Sequence, residues 1–281
     1  MIRDRRVAPD LTRAREVIAA RGGRLGAPLS IEAETGSTND DAKTGAREGA
    51  PHGATWLAEA QRAGRGRQGR AWLSTPGENL LFTVLLRIPC APPRVPPLSL
   101  ACGIAVRDAV ARAVGEDADV LVKWPNDVVV RRGDGALRKV AGILVESGVA
   151  GSRVEHVVVG VGINVLGRAL PDELVDIATS IALERDARPG KSRPELDRAE
   201  VLADVLAGLD RDVEHVAHRG LGLIHARLSR ADALHGRGVE SDDGALRGTA
   251  CGIDLEGRLL VRTAEGKVVP VVSGEVRMRA V

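Results

Sequence analysis

The sequence predicts an α+β protein, with a largely antiparallel mixed sheet flanked by helices and a small C-terminal β-barrel. Three observations carry this. Short β-like runs recur between Ile31 and Val165, two of them joined through an Asp-Gly turn. Helical patterns fall irregularly among those runs instead of alternating strictly with them, as a parallel α/β sheet would require. After His235, turn signals crowd together at the spacing of a small barrel.

Taken in order, Asp10 to Arg21 (DLTRAREVIAAR) has apolar residues at helical spacing. It is read as one short helix, with Asp10 or Thr12 as N-cap and Gly22-Gly23 as its stop. The β-runs are Thr55 to Ala60, Leu80 to Leu86, Val120 to Trp124, Asp127 to Val130, Val140 to Glu146 and Val154 to Val165. Arg131-Arg132-Gly133-Asp134-Gly135 closes a hairpin between the runs that end at Val130 and start at Val140. Helical patterns cover Asn39 to Glu48, Leu98 to Val114 and Glu195 to Ala217. Pro96 and Pro97 set the entry of the second, where Leu98, Ala101, Cys102, Ala105, Val106 and Ala109 follow one face. Asp243-Gly244, Glu256-Gly257 and Glu265-Gly266 then separate short apolar strands, which places a domain boundary near Ala233, with domains 1–233 and 234–281.

Composition narrows the function. The 281 residues carry Lys+Arg 40 against Asp+Glu 38, a formal charge of +2, and are 44% apolar and 28% charged, as in an ordinary globular protein. Near-neutral charge disfavours a protein that coats nucleic acid, and with Phe 1, Trp 3 and Tyr 0 there is no aromatic platform for single strands. No stretch approaches the roughly 18 apolar residues of a spanning helix. The charged start, Met1 to Arg6, lacks the apolar segment of a secretory signal. Cys90, Cys102 and Cys251 form no C-x-x-C pair and read as reduced thiols of a cytoplasmic protein.

The densest motif is Gln61-Arg62-Ala63-Gly64-Arg65-Gly66-Arg67-Gln68-Gly69-Arg70, with three glycines and four arginines in ten residues. It matches G-x-G-x-x-G formally, yet Ser74-Thr75-Pro76-Gly77 breaks the helix that a dinucleotide fingerprint must open. What remains is either a solvated basic loop or a guanidinium-rich flap over an anion, since Arg forks bind carboxylate and phosphate bidentately. Gly36-Ser37-Thr38-Asn39 precedes a helix, so it either caps that helix or lines a polar pocket at its start. Lys123-Trp124-Pro125-Asn126-Asp127 puts charge within a hydrophobic sheet segment, where it must find a partner. A Lys–Asp structural pair in a bent strand would account for part of it. Lys139 stands at the mouth of a strand with Gly142 close behind, and Gly160-Val161-Gly162-Ile163-Asn164 is a β-run with small residues and one amide. Taken singly, a surface lysine and a bulged strand explain these two.

Other motifs fail. Gly190-Lys191-Ser192 resembles the end of a P-loop, but Arg185 stands where its first glycine belongs. The six histidines form no H-E-x-x-H, and His215 with His218 reads as an exposed helix face. There is no G-x-S-x-G elbow.

In order and spacing together, Ser37-Thr38-Asn39, Gln61, Gly64-Arg65-Gly66-Arg67-x-Gly69-Arg70, Lys123-Trp124-Pro125-Asn126-Asp127, Lys139-x-Ala141-Gly142-Ile143-Leu144 and Gly160-x-Gly162-Ile163-Asn164 resemble the biotin protein ligase family. Ser273-Gly274-Glu275-Val276 looks like the close of that family's C-terminal barrel. The resemblance implies a catalytic domain like that of class II aminoacyl-tRNA synthetases, an SH3-like barrel, and two reactions. Biotin and Mg-ATP would give biotinyl-5′-AMP and pyrophosphate, and biotin would then pass to a lysine of a biotin carboxyl carrier domain. Ser37, Thr38, Asn39, Gln61, Arg65, Gly66, Arg67, Lys139 and Gly142 would hold biotin. Arg67, Arg70, Trp72, Asn126, Lys139 and Asn164 would hold the nucleotide. Lys139, Arg65 and Arg67 would offset developing charge, and Asp127 would guide the incoming amine by hydrogen bond or as a base. Mg²⁺ would accompany ATP, with Asn126 serving the phosphates or the metal and no dedicated protein metal site.

The short amino terminus looks like that of the monofunctional ligases and argues against a DNA-binding repressor, for which three helices would be needed. No membrane is expected, and a homodimer is left open. A lipoate ligase is the nearest competitor, and the complete arginine loop and K-W-P-N-D favour biotin.

Overall fold

The computed structural model describes residues 7–115, 117–188, 193–272, 274 and 276–278. The charged start at Met1 to Arg6, the Gly190-Lys191-Ser192 motif, and Ser273 and Glu275 of the terminal motif lie outside the described residues.

The first sheet has seven strands. These are β1 (Leu29–Glu32), β2 (Thr55–Ala58), β3 (Asn79–Leu86), β4 (Asp119–Lys123), β5 (Asp127–Arg131), β6 (Leu137–Ala150) and β7 (Arg153–Asn164), in the order β1-β2-β3-β7-β6-β5-β4. Only β1 and β2 pair in parallel, so the sheet is mixed and largely antiparallel, in agreement with the sequence reading. The 132–136 turn closes the β5–β6 hairpin, with Arg132 N–H on Ala136 O at 3.0 Å.

Strand β3 shows how the layers form. All eight of its residues are buried, so both faces are covered. Leu80, Phe82, Val84 and Leu86 face the main core, which they share with α4 (Val95–Val114) and α6 (Arg198–Arg219). Leu85 faces the other way, toward Ala42 and Ala46 of α3 (Thr38–Arg47). The pocket lies on this α3 side.

The helices depart from the sequence reading in instructive ways. The predicted helix at 10–21 is two, α1 (Pro9–Thr12) and α2 (Ala14–Arg21), with Arg13 between them; neither Asp10 nor Thr12 is the N-cap. Asp10 is instead drawn into an ion pair with Arg198, at 2.8 Å. Helix α4 begins at Val95, so Pro96 and Pro97 lie in its first turn, where no intrahelical N–H bond is lost. Helix α6 starts where Asp197 accepts from the N–H groups of Ala199 and Glu200, at 2.7 and 3.3 Å. Strand β1 and the short helices α5 (Ile181–Asp186) and α7 (His225–Arg230) lack a periodic signal long enough to read.

The C-terminal sheet contains β8 (Gly238–Ser241), β9 (Arg247–Ile253), β10 (Leu259–Arg262), β11 (Val268–Val271) and β12 (Val276–Met278), ordered β11-β10-β9-β8-β12 and antiparallel throughout. Val239, Ala250, Ile253, Leu259 and Val261 join the main core, so the apolar interior runs on between the two sheets. Trp124 reinforces the junction: it is 3% exposed and its Nε1–H donates to Gly257 O at 3.0 Å. Among the described residues no helix is long and apolar enough to cross a membrane.

One buried carboxylate, Glu184, and one half-buried, Asp10, make stability acid-sensitive. Burial pushes the Asp10 and Glu184 carboxyls up, but bonds from Arg198 to Asp10, and from Arg188, Thr179 and Arg132 to Glu184, outweigh it and hold both below the usual carboxylate range. A folded-state pKa below the unfolded one gives stability that is present above about pH 4 and lost as pH falls through the folded value. The melting midpoint should therefore drop steeply between about pH 5 and pH 3. Glu184→Gln should be less stable at neutral pH and lose less over that interval; an unchanged acid slope in that variant would refute the assignment.

Candidate active site

One cavity of about 520 Å³ opens on the α3 side of the sheet. Its wall includes every residue that the motifs singled out as a site residue: Ser37, Thr38, Asn39 and Gln61 at one end, and Arg65, Gly66, Arg67, Arg70 and Trp72 from the loop. Asn126, Asp127, Lys139, Gly142 and Asn164 come from the strand ends. Its size suits a drug-sized organic ligand.

The polar part of the wall is organised by the protein's own hydrogen bonds. Ser37 occupies the N-cap position of α3, but its side chain makes no capping bond. Gln61 takes that place: its Oε1 accepts from the Thr38 N–H at 2.8 Å, leaving the NH₂ end uncommitted by this bond. The Asn39 amide is held from both sides, with Thr83 Oγ1 donating to its Oδ1 at 2.6 Å and its own Nδ2 donating to Glu146 Oε2 at 2.7 Å. Thr83 and Glu146, which hold Asn39 from outside the cavity wall, are partners the motifs did not reveal. The one available signal for Thr83 was a lone hydroxyl in the otherwise apolar run Leu80 to Leu86.

Glycines of β6 and β7 let side chains approach the sheet. A Cβ on Gly160 would lie 2.0 Å from Asn39 Oδ1, and one on Gly162 would lie 2.5 Å from the Trp72 ring. Gly142 pairs with Gly162 across the strands, so Trp72 rests on bare backbone. Its indole Nε1 is buried and has no hydrogen-bond partner among the described residues.

The arginine loop folds back as a small hairpin instead of opening a helix. Gly66 N–H bonds Arg70 O at 2.7 Å and Trp72 N–H bonds Gly64 O at 2.9 Å. Its guanidinium groups face carboxylate and carbonyl oxygens. Arg65 grips Asp40 with both Nη atoms, at 2.9 and 2.5 Å, and these bonds hold the Asp40 carboxyl below its ordinary range. Arg67 reaches Asn126 Oδ1 at 3.5 Å and Gly274 O of the C-terminal region at 3.3 Å.

Lys139 Nζ lies 2.7 Å from Asp127 Oδ1 and 5.3 Å from the centre of the Trp72 ring. Lys123 and Asp127 face each other across the β4–β5 hairpin, yet the ion pair of Asp127 is with Lys139, so the simple Lys–Asp pair within the motif does not form. Trp124 of the same motif is structural, as described. Asn126 Nδ2 donates to Ile143 O at 2.8 Å, which turns its oxygen to the Arg67 side. The cavity wall thus combines uncharged polar groups, Thr38, Asn39 and Gln61, with the cationic groups of Arg65, Arg67 and Lys139. Such a surface can hold an uncharged head group, receive a carboxylate, and bind phosphate beside it.

Fold and site together define a ligase of the biotin/lipoate type. Residues 35–164 match the biotin/lipoate A/B protein ligase family, and residues 238–279 match the biotin protein ligase C-terminal domain. The chain is 35% identical over 254 residues to a biotin–[acetyl-CoA-carboxylase] ligase of Mycobacterium tuberculosis, covering 88% of each. It is 33% identical to the bifunctional ligase/repressor BirA of Bacillus spizizenii, covering 86% of this chain and 71% of the relative. Among solved structures, a biotin protein ligase from Aquifex aeolicus in complex with biotin and ATP superposes with a TM-score of 0.72 at 29% identity, over 89% of this chain and 98% of that one. The chain belongs to the biotin protein ligase family.

Proposed function

We propose that this protein joins biotin to AMP and then transfers biotin to a lysine of a biotin carboxyl carrier domain. The observation that carries the reading is the convergence of the Lys139 ammonium and the arginine loop on the cavity whose far end holds Thr38, Asn39 and Gln61. Relatives seen with biotin and ATP, and with biotinyl-5-AMP, support it.

In the first step a biotin carboxylate oxygen bonds the α-phosphorus of ATP, and the bond to the β-phosphate oxygen breaks to release pyrophosphate. Two anions must approach, so Lys139, Arg65 and Arg67 lower the barrier as charge builds on the transferring phosphorus. Asp127 holds the Lys139 ammonium at 2.7 Å and so directs it. Arg65 must exchange Asp40 for the ligand, which couples loop closure to loading. In the second step the carrier amine bonds the acyl carbon and the acyl–phosphate bond breaks to release AMP. Asp127, in the pocket wall, guides that amine, by hydrogen bond or as the base that takes the proton it loses. Trp72 and Asn164 hold the nucleotide, and the closed hairpin keeps water from the mixed anhydride.

Magnesium fits this donor set only as a companion of the phosphates. No group of three or more His, Cys, Asp or Glu suited to a metal occurs among the described residues, and the pocket wall offers one carboxylate, Asp127, beside the Asn126 oxygen. With Asp127 committed to Lys139, the Asn126 oxygen would serve a phosphate-bound Mg²⁺, which would supply charge neutralisation at the transferring phosphoryl group. In this reading residues 1–233 form the catalytic unit and 234–281 the C-terminal unit. Three free cysteines and the need for ATP fit the cytoplasm. A homodimer is compatible with this reading.

The test is exchange of labelled pyrophosphate into ATP. Biotin should support it and lipoate should not. Equal exchange with lipoate would overturn the choice of acid, and no exchange with either would remove the ligase reading.

A further inference from the structure

Thr179 is fully buried behind the pocket wall and touches two of the site residues through its backbone. The segment Ile177 to Thr179 runs parallel beside Lys139: Lys139 N–H bonds Ile177 O, and Thr179 N–H bonds Lys139 O, both at 2.8 Å. Thr179 O in turn accepts from Asn164 Nδ2 at 3.0 Å. A carboxamide whose NH₂ is committed in this way presents its oxygen, and among the described residues no donor reaches Asn164 Oδ1.

Glu184 of α5 holds Thr179 in place. It is 1% exposed and lies outside the pocket wall. Its Oε1 accepts from Thr179 Oγ1 at 2.7 Å and from Arg132 Nη2 at 3.0 Å, and its Oε2 accepts from Arg188 Nη1 at 2.7 Å. A buried carboxylate held by two guanidinium groups cannot turn away without leaving charge unpaired, so the threonine hydroxyl has one stable position.

We infer that Glu184 is a positioning residue for base selection: through Thr179 it fixes the Asn164 amide with its oxygen offered to the nucleotide. A 6-amino purine supplies an N–H to that oxygen, whereas a 6-oxo purine brings a second acceptor against it. The site then rejects inosine and guanine nucleotides by repulsion as well as by a lost bond. The proposal rests on the nucleotide reading given above.

Thr179→Val removes the hydroxyl and keeps the branched shape, leaving Glu184 with both arginines. Biotin-dependent pyrophosphate exchange is measured with ATP and with inosine triphosphate. The variant should raise KM for ATP about fivefold, the worth of one oriented hydrogen bond, and lower the preference for ATP over inosine triphosphate about tenfold. KM for biotin should stay within about twofold, and Thr179→Ser, which restores the hydroxyl, should recover the wild-type preference. A folded Thr179→Val with unchanged preference overturns the inference, as does a wild type that uses both nucleotides equally. Should Thr179→Val not fold, Thr179→Ala, which also removes the hydroxyl, carries the same two outcomes. A wild type with no exchange on any nucleotide overturns the ligase reading itself.

Discussion

Lys139→Ala is expected to slow biotin-dependent pyrophosphate exchange by about 10²- to 10³-fold, the usual loss when one oriented electrostatic donor is removed from a reacting centre. Stability should change by only about 1 kcal/mol. The Lys139 side chain is 33% exposed and that of Asp127 is 22%, so the pair is partly solvated and the remaining carboxylate can be hydrated. Lys139→Arg should recover little, because a planar fork does not replace a point charge packed over the Trp72 ring at 5.3 Å. Parallel measurement of exchange and of the melting midpoint decides the matter. A variant that loses activity only in proportion to its folded fraction would make Lys139 a structural residue.

The second large effect lies in the fold. Arg198 is fully buried at the start of α6, where it bonds Asp10 at 2.8 Å, Glu59 at 2.7 Å and Asn79 O at 3.1 Å. Those contacts tie α1, the exit of β2, the start of β3 and α6 to one cation. Arg198→Met should cost about 3–5 kcal/mol, because it leaves two carboxylates, one of them nearly inaccessible, without their counter-charge. Denaturant titration reads this directly. Adding Glu59→Gln and Asp10→Asn to the same chain should return part of the loss, since the uncompensated charge is then gone. A loss below about 1 kcal/mol in the single variant would show that water or rearrangement rescues the cluster. Glu59 stands two residues before Gln61, so the damage should extend to biotin affinity.

The cationic flap, the polar run at the start of α3 and the lysine at the strand mouth were readable because each is a contiguous string of unusual residues in an otherwise apolar or helical context. The partners that orient them were not. Asp40 is an ordinary helix-surface acid until the loop brings Arg65 to it, and Glu146 is an ordinary strand charge until Asn39 and Lys43 reach it. Trp124, in the same motif as Asn126 and Asp127, joins the first sheet to the C-terminal strands, a role its neighbours along the chain do not indicate. Arg198 and Glu184 sat inside helical stretches where charge is unremarkable.

What the sequence determined by itself was therefore the kind of chemistry and the order of the elements. Side-chain type, turn residues and apolar period are local quantities, and a chain of short strands with one arginine-glycine loop and one strand-edge lysine admits few arrangements. Only the tertiary structure decided which charges pair and which face the ligand. Glu59 and Arg198 are 139 positions apart, and Asn39 and Glu146 are 107 apart. Whether such groups meet depends on how sheets and helices pack, because a buried charge takes its partner from whatever the fold places within reach, not from its neighbours along the chain.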